Sequence, residues 1–162
     1  MSARAAKPIC VGVVDTREPP DCAWRLGIPT VRAKLTSGDY SFQGAEGSIA
    51  IERKTLSDWI GSLTHERKRF EREMDRLASF ARAVIVVEAN LEDVLAGDYR
   101  SAVTPKALRG SIASIQARWG VSTQFIGNRE QAEEFATTWL VKCWKHGALW
   151  RPKFSRFQRR AA

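Results

Sequence analysis

The chain has 162 residues, enough for one domain with a sizeable core. Its 44% apolar content is ordinary for a globular protein, and no run approaches the ~18 uninterrupted apolar residues of a membrane helix. The net charge of +8 is uneven: residues 1–134 hold 19 Lys+Arg against 18 Asp+Glu, whereas residues 135–162 hold seven Lys+Arg and no acid. A basic end of this kind suits a polyanion such as nucleic acid. The alternative is a solubilising tail. Cys10, Cys22 and Cys143 form no CxxC pair, and His65 and His146 are the only histidines, so no zinc pattern exists. Free, mostly buried thiols in a reducing compartment are expected. The first residues lack the apolar segment of a signal peptide, so the expected location is cytoplasmic, with a bacterial or phage source.

Residues 1–8 read as a flexible arm. Residues 9–15 are an apolar run of strand length, suited to burial. Residues 16–23 contain Pro19-Pro20 and are loop. Residues 28–35 alternate loosely and form a second strand. Ser37-Gly38-Asp39 is a turn. Tyr40–Phe42 and residues 48–53 make a hairpin across Gly44-Ala45-Glu46-Gly47. Residues 55–63 are a helix opened by a capping box, Thr55-x-x-Asp58. Residues 66–81 are a second helix, with Phe70, Met74, Leu77 and Phe80 on one face and charges elsewhere. Residues 83–89 are the clearest buried strand, and Leu91–Ala96 is a helical turn. Thr104-Pro105 opens a helix to about residue 119, with Leu108, Ile112, Ile115 and Trp119 inward and Gly120 as its stop. Residues 121–126 are the last strand. Asn128 caps a final helix to about residue 146 that buries Phe135, Trp139, Leu140 and Cys143. The order βββ-αα-β-α-β-α predicts an α/β fold, a mixed central sheet flanked by helices. The expected division is an arm at 1–8, a body at 9–146 and a basic, aromatic tail at 147–162.

The chemistry concentrates in Glu52-Arg53-Lys54. On a strand, residues i and i+2 share a face, so Glu52 and Lys54 point the same way. Asp39 joins them when the hairpin folds back. Two carboxylates and one Lys are the minimal set for a divalent-metal phosphodiesterase.

Gly38-Asp39, Glu52-Arg53-Lys54 and Asp58 closely resemble the GD…ERKxxxD nuclease motif of the XPF-type structure-specific endonucleases. Val14-Asp15-Thr16-Arg17-Glu18 is similar to that family's VDxRE, and Ile60-Gly61-Ser62-Leu63 looks like its continuation. Arg69-Phe70-Glu71-Arg72-Glu73-Met74-Asp75-Arg76-Leu77 resembles its next helix, and residues 84–88 its next strand, which ends in Glu. The resemblance spans residues 9–146. It implies a restriction-endonuclease-like fold of the PD-(D/E)xK class. It also implies a metal-dependent endonuclease that cuts branched DNA (flaps, forks or junctions) in recombination, repair or replication. Mg²⁺ would be the cofactor, Mn²⁺ a substitute, and the working form a homodimer built through the nuclease domain. No helix-hairpin-helix module or helicase segment is present, and Glu73 stands where the family often has Gln. The alternative is a catalytically silent DNA-binding or scaffold relative. Such relatives have lost the acidic and Lys positions that this chain keeps.

Each role has a plainer rival. Asp39 and Glu52 are candidate metal ligands, or a turn Asp and a strand-end Glu. Lys54 is a candidate catalytic Lys, or an edge-strand Lys that discourages aggregation. Asp15 and Glu18 bind or orient metal, or pair with Arg17. Arg53 faces away from Glu52 and is expected to brace the motif through Asp58 or another acid. Asp58 supports catalysis or only caps its helix. Arg17 and Arg69 are candidate DNA contacts, and Arg69 is placed near the scissile phosphate. The neighbouring Arg67, Lys68, Arg72 and Arg76 read as a solvated face with i,i+4 pairs. Toward the end, Trp144, Trp150, Phe154 and Phe157 are interleaved with Lys145, Arg151, Lys153, Arg156, Arg159 and Arg160, a pattern suited to stacking on exposed bases. The plainer reading makes Trp144 and Trp150 core or dimer contacts and the rest a flexible tail. Deleting residues 151–162 is expected to leave the fold intact, weaken DNA binding and flatten its salt dependence. An unchanged salt slope would remove the tail from the binding surface.

Overall fold

Short runs of β-branched residues separated by turns produce six strands in the computed structural model, which describes residues 9–147. They are β1 (Gly12–Asp15), β2 (Thr30–Ala33), β3 (Tyr40–Phe42), β4 (Ile49–Thr55), β5 (Arg82–Glu88) and β6 (Ser122–Phe125). The helices are α1 (Leu56–Leu63), α2 (Arg67–Ala78), α3 (Leu91–Ala96), α4 (Pro105–Trp119) and α5 (Arg129–Lys145). The expected arm, and tail residues Trp150, Lys153, Arg156, Arg159 and Arg160, lie outside the described residues. Among the described residues, no helix is long and apolar enough to cross a membrane.

The strands form one sheet in the order β2-β1-β3-β4-β5-β6. β1/β3 and β3/β4 are antiparallel, and the remaining pairs are parallel. This is the mixed α/β sheet expected. The expected order counts the two hairpin arms as one strand and does not count the helical turn expected at residues 91–96. In the structure four strands precede α1, and residues 91–96 form a helix. The first two strands are shorter than expected because β1 and β2 pair only over Gly12–Asp15 and Thr30–Ala33. Ile9 falls outside that ladder and is 63% exposed.

Period-two alternation divides the core between the sheet's faces. Val14, Tyr40, Ile49, Ile51, Val84 and Val86 pack with Leu140 and Cys143 of α5 on one face. Ala50, Ile85 and Val87 pack with Trp59, Phe70, Met74, Leu108 and Ile115 on the other. Phe135 and Trp139, expected inward on α5, are only partly buried; Ala132 and Ala136 take the innermost positions. Two small residues there let the helix approach the sheet closely.

Helix ends follow local chemistry. Thr55 ends β4 and caps α1 directly, accepting the Asp58 amide at 3.2 Å. Thr104 caps α4, and Asn128 and Gln131 form a reciprocal capping box on α5. Gly38 has φ +77°. An added Cβ would stand 2.8 Å from the Ala50 Cβ and 3.1 Å from the Ile51 carbonyl oxygen. Gly38→Ala is therefore expected to cost about 2 kcal/mol in urea unfolding. A loss below about 0.5 kcal/mol would mean the turn relaxes freely.

Candidate active site

β4 carries chemistry on both faces. Ile49, Ile51 and Arg53 point toward the α5 side, and Ala50, Glu52 and Lys54 toward α1 and α2. The Asp39 amide donates to the Ile51 carbonyl at 2.8 Å, which seats the Gly38-Asp39 turn beside β4. The Asp39 Oδ2 accepts the Arg53 amide at 2.8 Å. Asp39, Glu52 and Lys54 thus meet at one end of the sheet.

Lys54 Nζ lies 3.0 Å from Glu52 Oε1 and 3.6 Å from Glu73 Oε2 of α2. Its ammonium stands 5.8 Å from the Phe70 ring centre. Glu52, Lys54, Glu73, Ser62, Glu66, Arg69 and Phe70 line a pit of about 50 Å³. Glu52 is 6% exposed. Burial and the Asp39 carboxylate push it well above the ordinary carboxylate range, although Lys54 pulls the other way. Burial lifts Asp39 to about 7, against the Arg53 amide. Burial works against the Lys54 charge, but Glu52 and Glu73 outweigh it and hold Lys54 above its ordinary value. The cluster has more carboxylate than its one ammonium can neutralise.

On the opposite face, Arg53 closes a ring of bonds. Its Nε donates to Glu88 at 2.8 Å and its Nη1 to Glu18 at 3.1 Å. Glu18 also accepts the Tyr40 hydroxyl at 3.0 Å, and Tyr40 accepts the Trp24 amide at 2.7 Å. The Trp24 indole returns to Glu88 at 2.7 Å. Trp24 and Tyr40 stack with centroids 5.0 Å apart, and the Arg53 guanidinium stands 5.7 Å from the Trp24 ring. Burial disfavours the guanidinium charge, but Glu88 and Glu18 outweigh burial and raise the Arg53 pKa.

The other candidates are placed as follows. Asp15 lies opposite Asp39 on the neighbouring strand, its amide donating to the Asp39 carbonyl at 2.8 Å, but its carboxylate is engaged by other partners. Its Oδ1 accepts the Arg17 amide and Nε, both at 2.7 Å, and its Oδ2 accepts the Leu35 amide at 2.6 Å and Arg17 Nη2 at 3.2 Å. Burial raises its pKa, but these bonds outweigh burial and leave it lowered. Glu18 pairs with Arg53, not with Arg17. Arg53 pairs with Glu18 and Glu88 and not with Asp58, because Asp58 sits at the α1 cap and accepts the Thr55 hydroxyl at 2.7 Å. Arg17 keeps an exposed flank while bound to Asp15. Arg69 is exposed, 3.6 Å from Glu66, at the rim of the pit. Trp24 and Tyr40 were not legible as site residues. Trp24 follows a Pro-rich loop without periodicity, and Tyr40 looks like any strand aromatic. Glu73 and Glu88 carried a signal only as departures from, or matches to, a motif.

The residues fit a hard divalent cation. Two buried carboxylates repel each other, and among the described residues no group of three His, Cys, Asp or Glu forms a metal cage. Mg²⁺ is held in just this way, by one or two carboxylates with water and substrate oxygens completing its shell.

Residues 14–138 match the ERCC4 domain, a family of DNA nucleases generally dependent on a divalent metal. A comparison with curated proteins finds no match. The fold is similar to that of XPF from Aeropyrum pernix, with a TM-score of 0.65 at 23% identity, covering 91% of this chain and 70% of that one. XPF from Aeropyrum pernix in complex with DNA superposes with a TM-score of 0.66 at 25% identity, covering 86% of this chain and 66% of that one.

The raised Asp39 pKa has a measurable consequence. The folded chain holds this proton more tightly than the unfolded chain, so the stability it brings is lost as pH rises. In metal-free buffer, unfolding free energy is expected to fall between the ordinary Asp value of 3.8 and about 7. Denaturant titrations across that window check this, and Asp39→Asn should reduce the slope. A wild-type profile that is flat or rises with pH would contradict the assignment.

Proposed function

This chain belongs to the ERCC4 domain family, and we propose that it is a metal-dependent endonuclease that cuts branched DNA in recombination, repair or replication. The observation that carries this reading is the Asp39–Glu52–Lys54 cluster, in which buried carboxylates exceed the cations available to them. Asp39 and Glu52 would hold Mg²⁺, with Mn²⁺ as a substitute. Such an ion, when bound, lowers the pKa of a water and neutralises charge on the phosphodiester.

The chain's own groups supply the rest. Lys54, held between Glu52 and Glu73, presents its ammonium to the phosphate oxygen brought to Glu52 and stabilises charge developing there. Glu73 keeps Lys54 in place when Glu52 turns to other partners. Arg53 touches no substrate; its pairing with Glu18 and Glu88 fixes the strand that aims Glu52 and Lys54. Asp15 braces Arg17 and the Leu35 amide, and Asp58 completes the α1 cap. Arg17 and Arg69 are the proposed phosphate contacts, and the protein works where DNA is. The proposed homodimer uses α5, where Trp139 and Trp144 remain partly exposed after packing on the core. A monomer by sedimentation at micromolar concentration would remove that element alone.

The test is cleavage of labelled single strand, duplex, 3′ flap, 5′ flap, fork and four-way junction, with Mg²⁺, Mn²⁺ or EDTA. Metal-dependent cutting of a branched substrate is expected, with a fall of at least about 10²-fold in Glu52→Gln. Binding without cutting, identical in wild type and Glu52→Gln, would instead indicate a catalytically silent scaffold.

A further inference from the structure

Helix α2 sorts its charges by direction. Its acids are engaged: Glu71 pairs with Arg67 and with Arg118 of α4 at 3.2 Å, and Asp75 accepts the Trp119 indole at 2.7 Å. Glu73 faces Lys54. The cations Lys68, Arg72 and Arg76 are exposed, and none of them has a carboxylate partner among the described residues. They occupy positions i, i+4 and i+8, one stripe about 12 Å long. Only Arg67 and Arg69 form the local pairs expected of a solvated face.

The stripe runs beside the candidate active site. Arg76 Nε donates to Ser37 Oγ at 3.1 Å, and Ser37 is buried two residues before Asp39. Arg69, which lines the pit with Glu52 and Lys54, lies within about 20° of Arg76 around the helix. We infer that Lys68, Arg72 and Arg76 form a phosphate track that leads one DNA strand to the Asp39–Glu52–Lys54 cluster. This rests on the DNA reading above and adds the surface that holds the strand. Phosphates recur about every 3.4 Å of duplex axis on each strand, so about 12 Å spans three to four of them. Three cations match that number. The track also answers an electrostatic need, because the cluster is acidic and would repel a backbone that no nearby cations held.

The experiment measures DNA affinity of the full chain over a salt series in EDTA, where nothing is cut. Lys68→Gln, Arg72→Gln and Arg76→Gln are compared singly and together with wild type. Arg109→Gln on α4 is the control for a general loss of positive charge. Gln keeps helix propensity, and melting temperatures report whether each variant is folded. On duplex DNA, each single change is expected to make the slope of log K against log[salt] shallower by about 0.9, and the triple variant by about 2.7. Arg109→Gln should leave the slope unchanged, and Arg76→Lys should restore it. If the triple variant does not fold, the single variants decide. Wild type that binds DNA with the same slope as the folded stripe variants overturns the track and leaves the nuclease reading standing. Wild type that binds no DNA removes both.

Discussion

Arg53 is the residue on which the rest of this structure depends. Its guanidinium joins Glu18, from the loop after β1, to Glu88, at the end of β5. Trp24 and Tyr40 close the ring through their own bonds to the same carboxylates. Elements from four separate parts of the chain are tied at one point. Removing one partner from such a partly buried set would strand charge that nothing else nearby can neutralise. The network also does something for the opposite face. A strand cannot turn one side chain without turning its neighbours, so holding Arg53 toward Trp24 holds Glu52 and Lys54 toward α2. The structural face of β4 thereby aims its chemical face.

That chemical face is under electrostatic tension. Glu52 and Asp39 are both pushed toward the neutral form by burial; the Asp39 carboxylate raises Glu52 further, and Glu18 and Glu73 raise Asp39 further. Lys54 relieves part of this and Glu73 adds to it. A fold selected for stability alone would place apolar residues here. On the proposed reading, a cation and a phosphate complete the charge balance. Around the rim, α2 carries Arg69 and the exposed Lys68, Arg72 and Arg76, which on the proposed reading meet an anionic strand before it reaches the carboxylates.

Much of this was legible beforehand. Glu52 and Lys54 share a face because strand period demands it. The caps at Thr55, Thr104 and Asn128 rest on hydrogen-bonding chemistry within three residues, and all three residues cap their helices, although at Thr55 the Asp58 carboxylate takes the Thr55 hydroxyl instead of completing a reciprocal box. Asp39 needed only a hairpin to arrive. What the sequence leaves open has a common cause. For Arg53 it offers Asp58, five residues away along the chain, or another acid, and the structure supplies the other acids. The true partners, Glu18 and Glu88, are each 35 residues away. The sequence leaves Asp15 as a metal ligand or an Arg17 partner. Which of these holds depends on where the Leu35 amide lies, and the strand pattern does not say.

Local chemistry therefore determined the elements, their caps, the strand-face partnership of Glu52 and Lys54, and the family resemblance that named the class of fold. Tertiary structure decided which carboxylates Arg53 binds, that Glu73 shares Lys54, that Arg17 and the Leu35 amide hold Asp15 beside Asp39, and which α2 cations lack a carboxylate partner among the described residues. The reason is range. Periodicity, capping and turn chemistry act over a few residues and are written in the order of the chain. Charge pairing acts through space, and only the folded sheet, with α2 laid across it, sets which charges are near enough to meet.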